Sequence, residues 1–178
     1  MNERSQNEKV DIKQEQLAGR FKKILVAVDY QAQTEEVFAK AIQLAKTNNS
    51  NLMIFHCMKE EIAGVPEMVA LTSMGPYGGV YTEETIELKE KLLKEATEEV
   101  KGWLNGFCQR AMEKGIATEF DHKIGDPGKQ ICSLAKMWEA DLIVIGRRGR
   151  TGISEMFLGS VSNYVVHHAE CSVLIVQH

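Results

Sequence analysis

The sequence predicts an α/β fold: an open sheet of parallel strands with helices on both faces. Three observations predict it. Four short apolar runs, Ile24 to Val28, Leu52 to Cys57, Asp141 to Ile145 and Ser172 to Val176, are nearly continuous, as in strands covered on both sides. Between them lie segments whose apolar residues recur at spacings of three and four, the period of a helix with one buried face. Strand and helix patterns alternate from Phe21 onward, the order that builds a parallel sheet.

Each element has its own signature. After the first strand, which Asp29 ends, Thr34 is placed to cap a helix carrying Val37, Phe38, Ala41, Ile42, Leu44 and Ala45, and Asn48-Asn49-Ser50 breaks it. The strand Leu52 to Cys57 completes a unit whose crossover should be right-handed. Residues 58–81 then break the rhythm with Gly64, Pro66, Gly75, Pro76, Gly78 and Gly79. They read as a long flexible insertion with one short helical stretch around Met68 to Leu71, either a lid or partner-recruiting loop or a floppy insertion.

From Thr82 a long helix is expected, with Ile86, Leu93, Ala96, Val100, Trp103, Phe107 and Ala111 as one apolar stripe. Gly102 and Gly106 weaken it, and close packing would explain them. Gly115 ends this helix, Ile116 to Lys123 alternates weakly as a strand, and Gly125-Asp126-Pro127 opens a helix buried through Ile131, Leu134, Ala135 and Trp138. The strand Asp141 to Ile145, a glycine-rich stretch, a helix over Ser160 to His168 and a last strand complete the chain. Met1 to Arg20 is polar, has too few large apolar residues to bury a face, and is expected to be a mobile arm.

A chain of 178 residues with 44% hydrophobic and 26% charged residues is long enough for one well-buried domain, here residues 21–178. A net charge of -4 and a pI near 5.8 argue against a protein whose task is to coat nucleic acid. No apolar run approaches the roughly 18 to 20 residues that span a bilayer, and the first residues lack the apolar core of a signal peptide. A cytoplasmic protein without membrane contact is expected. Cys57, Cys108, Cys132 and Cys171 are scattered without a C-x-x-C pair and read as small buried hydrophobes in a reducing compartment. No metal site is expected from them or from His56, His167 and His168.

The chemistry concentrates in Gly146-Arg147-Arg148-Gly149-Arg150-Thr151-Gly152 and, seven residues later, Gly159-Ser160-Val161-Ser162 at the start of a helix. This segment leaves the carboxyl end of a buried strand, where open α/β sheets place ligands. Glycines let backbone N–H groups turn inward as an anion-binding nest, and a helix amino terminus adds donors and a favourable dipole. Ser160 offers a hydroxyl, and Arg147, Arg148 and Arg150 offer charge for a di- or triphosphate. The alternative reading is a tight turn with solvated arginines.

Two other nucleotide folds are excluded. The turn after the first strand, Asp29-Tyr30-Gln31-Ala32-Gln33-Thr34, has no glycine, so the dinucleotide fingerprint is missing. In the superficially P-loop-like Gly125-Asp126-Pro127-Gly128-Lys129-Gln130, Lys123 stands where the first glycine belongs and Gln130 replaces Ser or Thr.

With Gly146 and Gly149, the nine residues Arg150 to Leu158 and then Gly159-Ser160, the chain resembles the nucleotide-binding branch of the universal stress protein family, whose pattern is G-x-x-G, nine residues, G-S/T. The strands Ile24 to Asp29, Leu52 to Cys57 and Val173 to Val176, with Gly125 and Pro127, support the likeness, which covers Phe21 to His178. The resemblance implies a Rossmann-like, five-stranded parallel sheet in the order 3-2-1-4-5 and ATP, or AMP, along its carboxyl edge. It implies that Ala27, Val28 and Asp29 line the adenosine site, that Cys57 offers backbone atoms to the adenine, and that Gly146 to Gly152 and Gly159 to Ser162 wrap the phosphates. A magnesium ion would ride on the phosphates, and a homodimer would form through antiparallel pairing of Val173 to Val176. Tyr30-Gln31, where many members have a small residue and Ser, Cys57, where Val is common, and the long 58–81 insertion depart from the pattern.

The functional expectation is a nucleotide-dependent switch or sensor in a stress response, acting on an unidentified protein partner. A slow ATPase and a nucleotide-free dimeric scaffold are the alternatives. Asp29 is the one carboxylate near the proposed phosphates and no second acid or His accompanies it in a phosphoryl-transfer constellation, so hydrolysis is expected to be slow and no catalytic residue is assigned.

Overall fold

The computed structural model describes residues 21–30, 34–58, 83–147 and 158–177. The amino-terminal arm, nearly all of the 58–81 insertion with its short helical stretch, and Arg148, Gly149, Arg150, Thr151 and Gly152 lie outside the described residues.

Five strands, β1 (Lys23–Ala27), β2 (Asn51–Met58), β3 (Thr118–Ile124), β4 (Leu142–Gly146) and β5 (Ser172–Val176), form one sheet in the order β3-β2-β1-β4-β5. All four pairings are parallel, which is the expected order and direction. Helices α1 (Thr34–Asn48) and α2 (Glu83–Met112) lie on one face; α3 (Pro127–Met137) and α4 (Ser160–His168) lie on the other.

The period of two along the strands sorts the core into two layers. Ile24, Val26, Leu52, Ile54, Leu142 and Val144 pack against Val37, Phe38 and Ala41 of α1 and Val100, Leu104 and Phe107 of α2. Leu25, Met53, Phe55, Ile143 and Ile145 pack against Ile131, Leu134 and Ala135 of α3 and Val165 of α4. The central strands therefore need apolar residues at every position, which is why they read as unbroken runs.

The apolar stripe expected along α2 is buried only from Val100 onward, and Ile86 is exposed. At 30 residues α2 is about 45 Å long by its 1.5 Å rise, against strands of five to eight residues. A helix that leaves β2 and returns to β3 starts at the carboxyl edge of the sheet, so its excess length projects past that edge.

Close packing does not account for Gly102 and Gly106, since a Cβ at either would meet no heavy atom within 4 Å. The glycine that close packing requires is Gly128 in the first turn of α3, where a Cβ would lie 2.8 Å from Tyr164 Cδ1 of α4. Of the four cysteines only Cys108 is buried; Cys57, Cys132 and Cys171 are half-buried, and none is in a disulfide. Trp138, expected on the buried face of α3, caps its carboxyl end instead, half-buried against the core. Among the described residues no helix is long and apolar enough to cross a membrane.

Candidate functional site

The strand order places the site. β1 is joined through α1 to β2 on one side and pairs with β4 on the other, so the carboxyl ends of β1 and β4 flank the point where the winding reverses. Crossovers leaving such a point diverge to opposite faces and open a crevice. Val28 and Asp29 follow β1 on one side of it, and Gly146 and Arg147 end β4 on the other.

On the β4 side the backbone of Arg147 is fixed twice. Its N–H donates to the Val176 carbonyl at 3.0 Å, and its carbonyl accepts from Gly159 N at 3.0 Å and Ser162 Oγ at 2.9 Å. The residues on either side of the 148–157 stretch are thus hydrogen-bonded to each other, and α4 starts directly beside the end of β4. Gly159 is the N-cap of α4 and supplies no side-chain hydrogen bond to its first turn. The N–H groups of such a turn carry partial positive charge and suit an anion. Ser160 is exposed, Val161 half-buried, and Ser162 buried at 2% exposure with its hydroxyl on backbone carbonyls. Ser162 therefore has only its backbone to offer a ligand.

On the β1 side Ala27 is half-buried, Val28 buried and Asp29 exposed. Thr34, expected as a cap, is the first residue of α1, and its hydroxyl interlocks with Asp29. Asp29 N donates to Thr34 Oγ1 at 3.1 Å, and that hydroxyl faces both the Asp29 carbonyl and, at 2.9 Å, Asp29 Oδ1. Asp29, two residues beyond the end of β1, is thereby tied to the first residue of α1.

Cys57 lies one strand away on β2, half-buried, with its thiol 3.6 Å from the Gly125 carbonyl. Burial first, and then the nearby Asp126 carboxylate, push this thiol up to about 11. It stays protonated at neutral pH and adds no negative charge to the site. Among the described residues no group of three or more His, Cys, Asp and Glu side chains is placed to hold a metal ion.

Sequence reasoning passed over His56 and the aromatic residues around it. His56 is 5% exposed, and its Nδ1 lies 2.8 Å from the Val28 carbonyl. Its ring meets Tyr30 edge-on at 5.1 Å and Trp103 of α2 at 5.3 Å, and Tyr30 stacks on Trp103 at 4.4 Å. Burial pushes the imidazole below its ordinary value, the Val28 hydrogen bond partly opposing this. The available signal was a polar residue inside an apolar strand, since such a group must find a partner.

Comparison with known proteins agrees with this architecture. Residues 20–177 match the model of the universal stress protein family. A universal stress protein of Synechocystis, Sll1388, is 43% identical over 159 residues, covering 88% of this chain and 97% of that one. The universal stress protein UspA of Lactobacillus plantarum superposes with a TM-score of 0.69 at 23% identity, covering 89% of this chain and 99% of that one. Two further structures share the fold. The Archaeoglobus fulgidus universal stress protein in complex with dAMP has a TM-score of 0.53 at 20% identity, with 89% of this chain and 100% of that one covered. A universal stress protein in complex with cAMP has 0.52 at 22%, with 89% and 98% covered. A strand order, a glycine pattern and a family model that all converge over nearly the whole chain leave one conclusion: it belongs to the universal stress protein family.

Proposed function

We propose that this chain binds an adenine nucleotide, ATP or alternatively AMP, across the carboxyl ends of β1 and β4, and acts in the cytoplasm as a nucleotide-dependent switch in a stress response. One observation carries the reading: the winding reverses between β1 and β4, and there the start of α4, without a side-chain cap, is hydrogen-bonded to the end of β4, the strand that pairs with β1. Relatives of the same fold in complex with dAMP and cAMP support it.

In this reading Ala27, Val28 and Asp29 line the adenosine, and Cys57 meets the adenine through its backbone. Gly146 to Gly152 and Gly159 to Ser162 wrap the phosphates, with Arg147, Arg148 and Arg150 supplying charge. The residues fit such a group. The first turn of α4 suits an anion, and the neutral Cys57 thiol does not oppose it. Magnesium would be held through the phosphate oxygens and would neutralise their charge. Binding rather than turnover is the role proposed here.

A homodimer through Val173 to Val176 is part of the proposal. β5 is an edge strand with apolar residues facing both layers of the core, and pairing it with a second copy removes the exposed edge. A protein partner then reads the occupied state.

Calorimetric titration of nucleotide-stripped protein with ATP and AMP, with and without magnesium, tests the reading. Saturable binding of either nucleotide, weakened at least tenfold in Gly149→Ala, is expected. No binding by the wild-type chain, together with no nucleotide released on denaturation, would overturn it in favour of a nucleotide-free scaffold.

A further inference from the structure

The peptide link between Val28 and Asp29 is held at both of its polar atoms by different elements. The β1–β2 ladder makes its last bond here, Val28 N donating to the Phe55 carbonyl at 2.9 Å, and the Val28 carbonyl turns instead to the His56 ring of β2 at 2.8 Å. The N–H on the other side of the same link, that of Asp29, donates to Thr34 Oγ1 of α1 at 3.1 Å. Because a peptide unit is planar, fixing its oxygen and its N–H fixes the orientation of the whole unit and the direction in which Asp29 leaves it.

A carbonyl oxygen only accepts, so His56 Nδ1 carries the proton in this contact. The ring cannot turn away to water. It is 5% exposed and meets Tyr30 and Trp103 edge-on, while Tyr30, the residue after Asp29, is stacked on Trp103. Tyr30 itself is 59% exposed, so the stack sits at the boundary between the core and the carboxyl edge. A chain of contacts runs from the buried part of α2 through Trp103 and His56 to the backbone that ends β1.

We infer that His56 is a positioning residue for the nucleotide site: its Nδ1–H sets the Val28–Asp29 peptide in the orientation that adenosine requires, and Trp103 with Tyr30 holds the ring in place. The inference rests on the nucleotide-binding reading above and adds residues that contact no ligand. Preorganising the backbone that carries Asp29 before the ligand arrives lowers the ordering cost of binding.

Two measurements on the full chain test it. In wild-type protein, long-range 1H–15N spectra of the His56 ring are expected to show a proton on Nδ1 and none on Nε2 at pH 7.5. The opposite tautomer would overturn the inference whatever any variant does. Calorimetry with ATP then compares His56→Phe, which keeps a ring but has no donor, with His56→Asn, which keeps a donor near the Nδ1 position. His56→Phe is expected to weaken binding about tenfold, the equivalent of ~1.4 kcal/mol, and His56→Asn to restore it to within about threefold. Loss of ATP binding without rescue by Asn would mark His56 as merely structural and overturn the inference. If wild type binds ATP and His56→Phe binds it equally, the positioning role falls and the nucleotide reading stands. If wild type binds neither ATP nor AMP, both fall.

Discussion

The two edges of the sheet are built to opposite rules. β3, Thr118–Ile124, turns Phe120 and Ile124 toward α2 and puts Glu119, Asp121 and Lys123 on its other face. Its charges are used locally: Lys123 pairs with Asp121 at 3.4 Å, and Glu119 accepts from Trp138 Nε1 at 2.7 Å. β5, Ser172–Val176, has Leu174 and Val176 on one layer of the core and Val173 and Ile175 on the other. It carries the composition of an interior strand at an edge position, and Val173, Leu174 and Ile175 are only half-buried. An unpaired edge invites other strands, and proteins that must avoid this place charge there. β3 follows that rule and β5 breaks it, and this difference is the observation behind the proposed pairing of β5 with a second copy.

The largest effect should follow from giving β5 the character of β3. Leu174→Lys puts a positive charge on both copies of the proposed two-fold interface, where like charges repel. The dimer dissociation constant is expected to rise about 100-fold, ~2.7 kcal/mol by the usual conversion, as read by sedimentation equilibrium. Circular dichroism separates this from unfolding. A folded Leu174→Lys variant that stays as dimeric as wild type would remove the distinction between the edges.

The next effect concerns the layer that covers β5. α3 and α4 meet at Gly128 and Tyr164, and a methyl group at Gly128 would enter the Tyr164 ring. Gly128→Ala is expected to cost about 1–3 kcal/mol by overpacking, a loss of about 2–4 °C in Tm per kcal/mol for a chain of this size. Trimming the ring as well, in Gly128→Ala with Tyr164→Ala, should cost less than the sum of the two single variants, because the methyl group then meets no ring, although Tyr164→Ala alone loses its stacking on His168. An unchanged Tm in Gly128→Ala would show that this layer yields more than its close contact suggests.

How much of this was legible in the sequence differs from part to part. Continuous apolar runs identified the central strands because burial on two faces leaves no polar position to alternate with. The helix α4, Ser160–His168, and the strand β5 coincide with the expected spans. The stripe on α2 was legible as a period, but a period does not say how far a sheet extends beneath it, so Ile86 was misplaced. The glycine pattern marked the β4 side of the crevice through local sequence. The β1 side depends on His56 reaching a carbonyl 28 residues earlier, and on Trp103 of α2 closing over it, contacts that local pattern does not encode.

A smaller effect is the acid sensitivity of the inner strand. Burial holds the His56 imidazole below its ordinary value in the fold, so the folded state binds a proton less readily than the unfolded chain does. The stability this contributes is fully present above the unfolded value of about 6.5 and is lost as pH falls through the lower folded value. Denaturant unfolding at a series of pH values between neutral and mildly acid should show this decline, and His56→Phe should flatten it. An equal decline in both proteins would assign the acid sensitivity to other groups.

The smallest change in stability, and the converse of the first prediction, comes from giving β3 the character of β5. Asp121 and Lys123 pair with each other on one face, so replacing both with Val removes the ion pair without leaving either partner alone. A half-exposed pair of this kind is worth about 0–1 kcal/mol, and valine favours a strand, so the unfolding free energy should stay within about 0.5 kcal/mol of wild type. The association state should nevertheless change. With an apolar second edge, a chain that pairs through β5 as proposed would have two sticky edges, and head-to-tail contacts between them have no reason to close. Light scattering should therefore rise with concentration in Asp121→Val/Lys123→Val, and adding Leu174→Lys should suppress it. If the double variant stays monodisperse, the charges on β3 are not what keeps that edge single, and the contrast between the two edges rests on β5 alone.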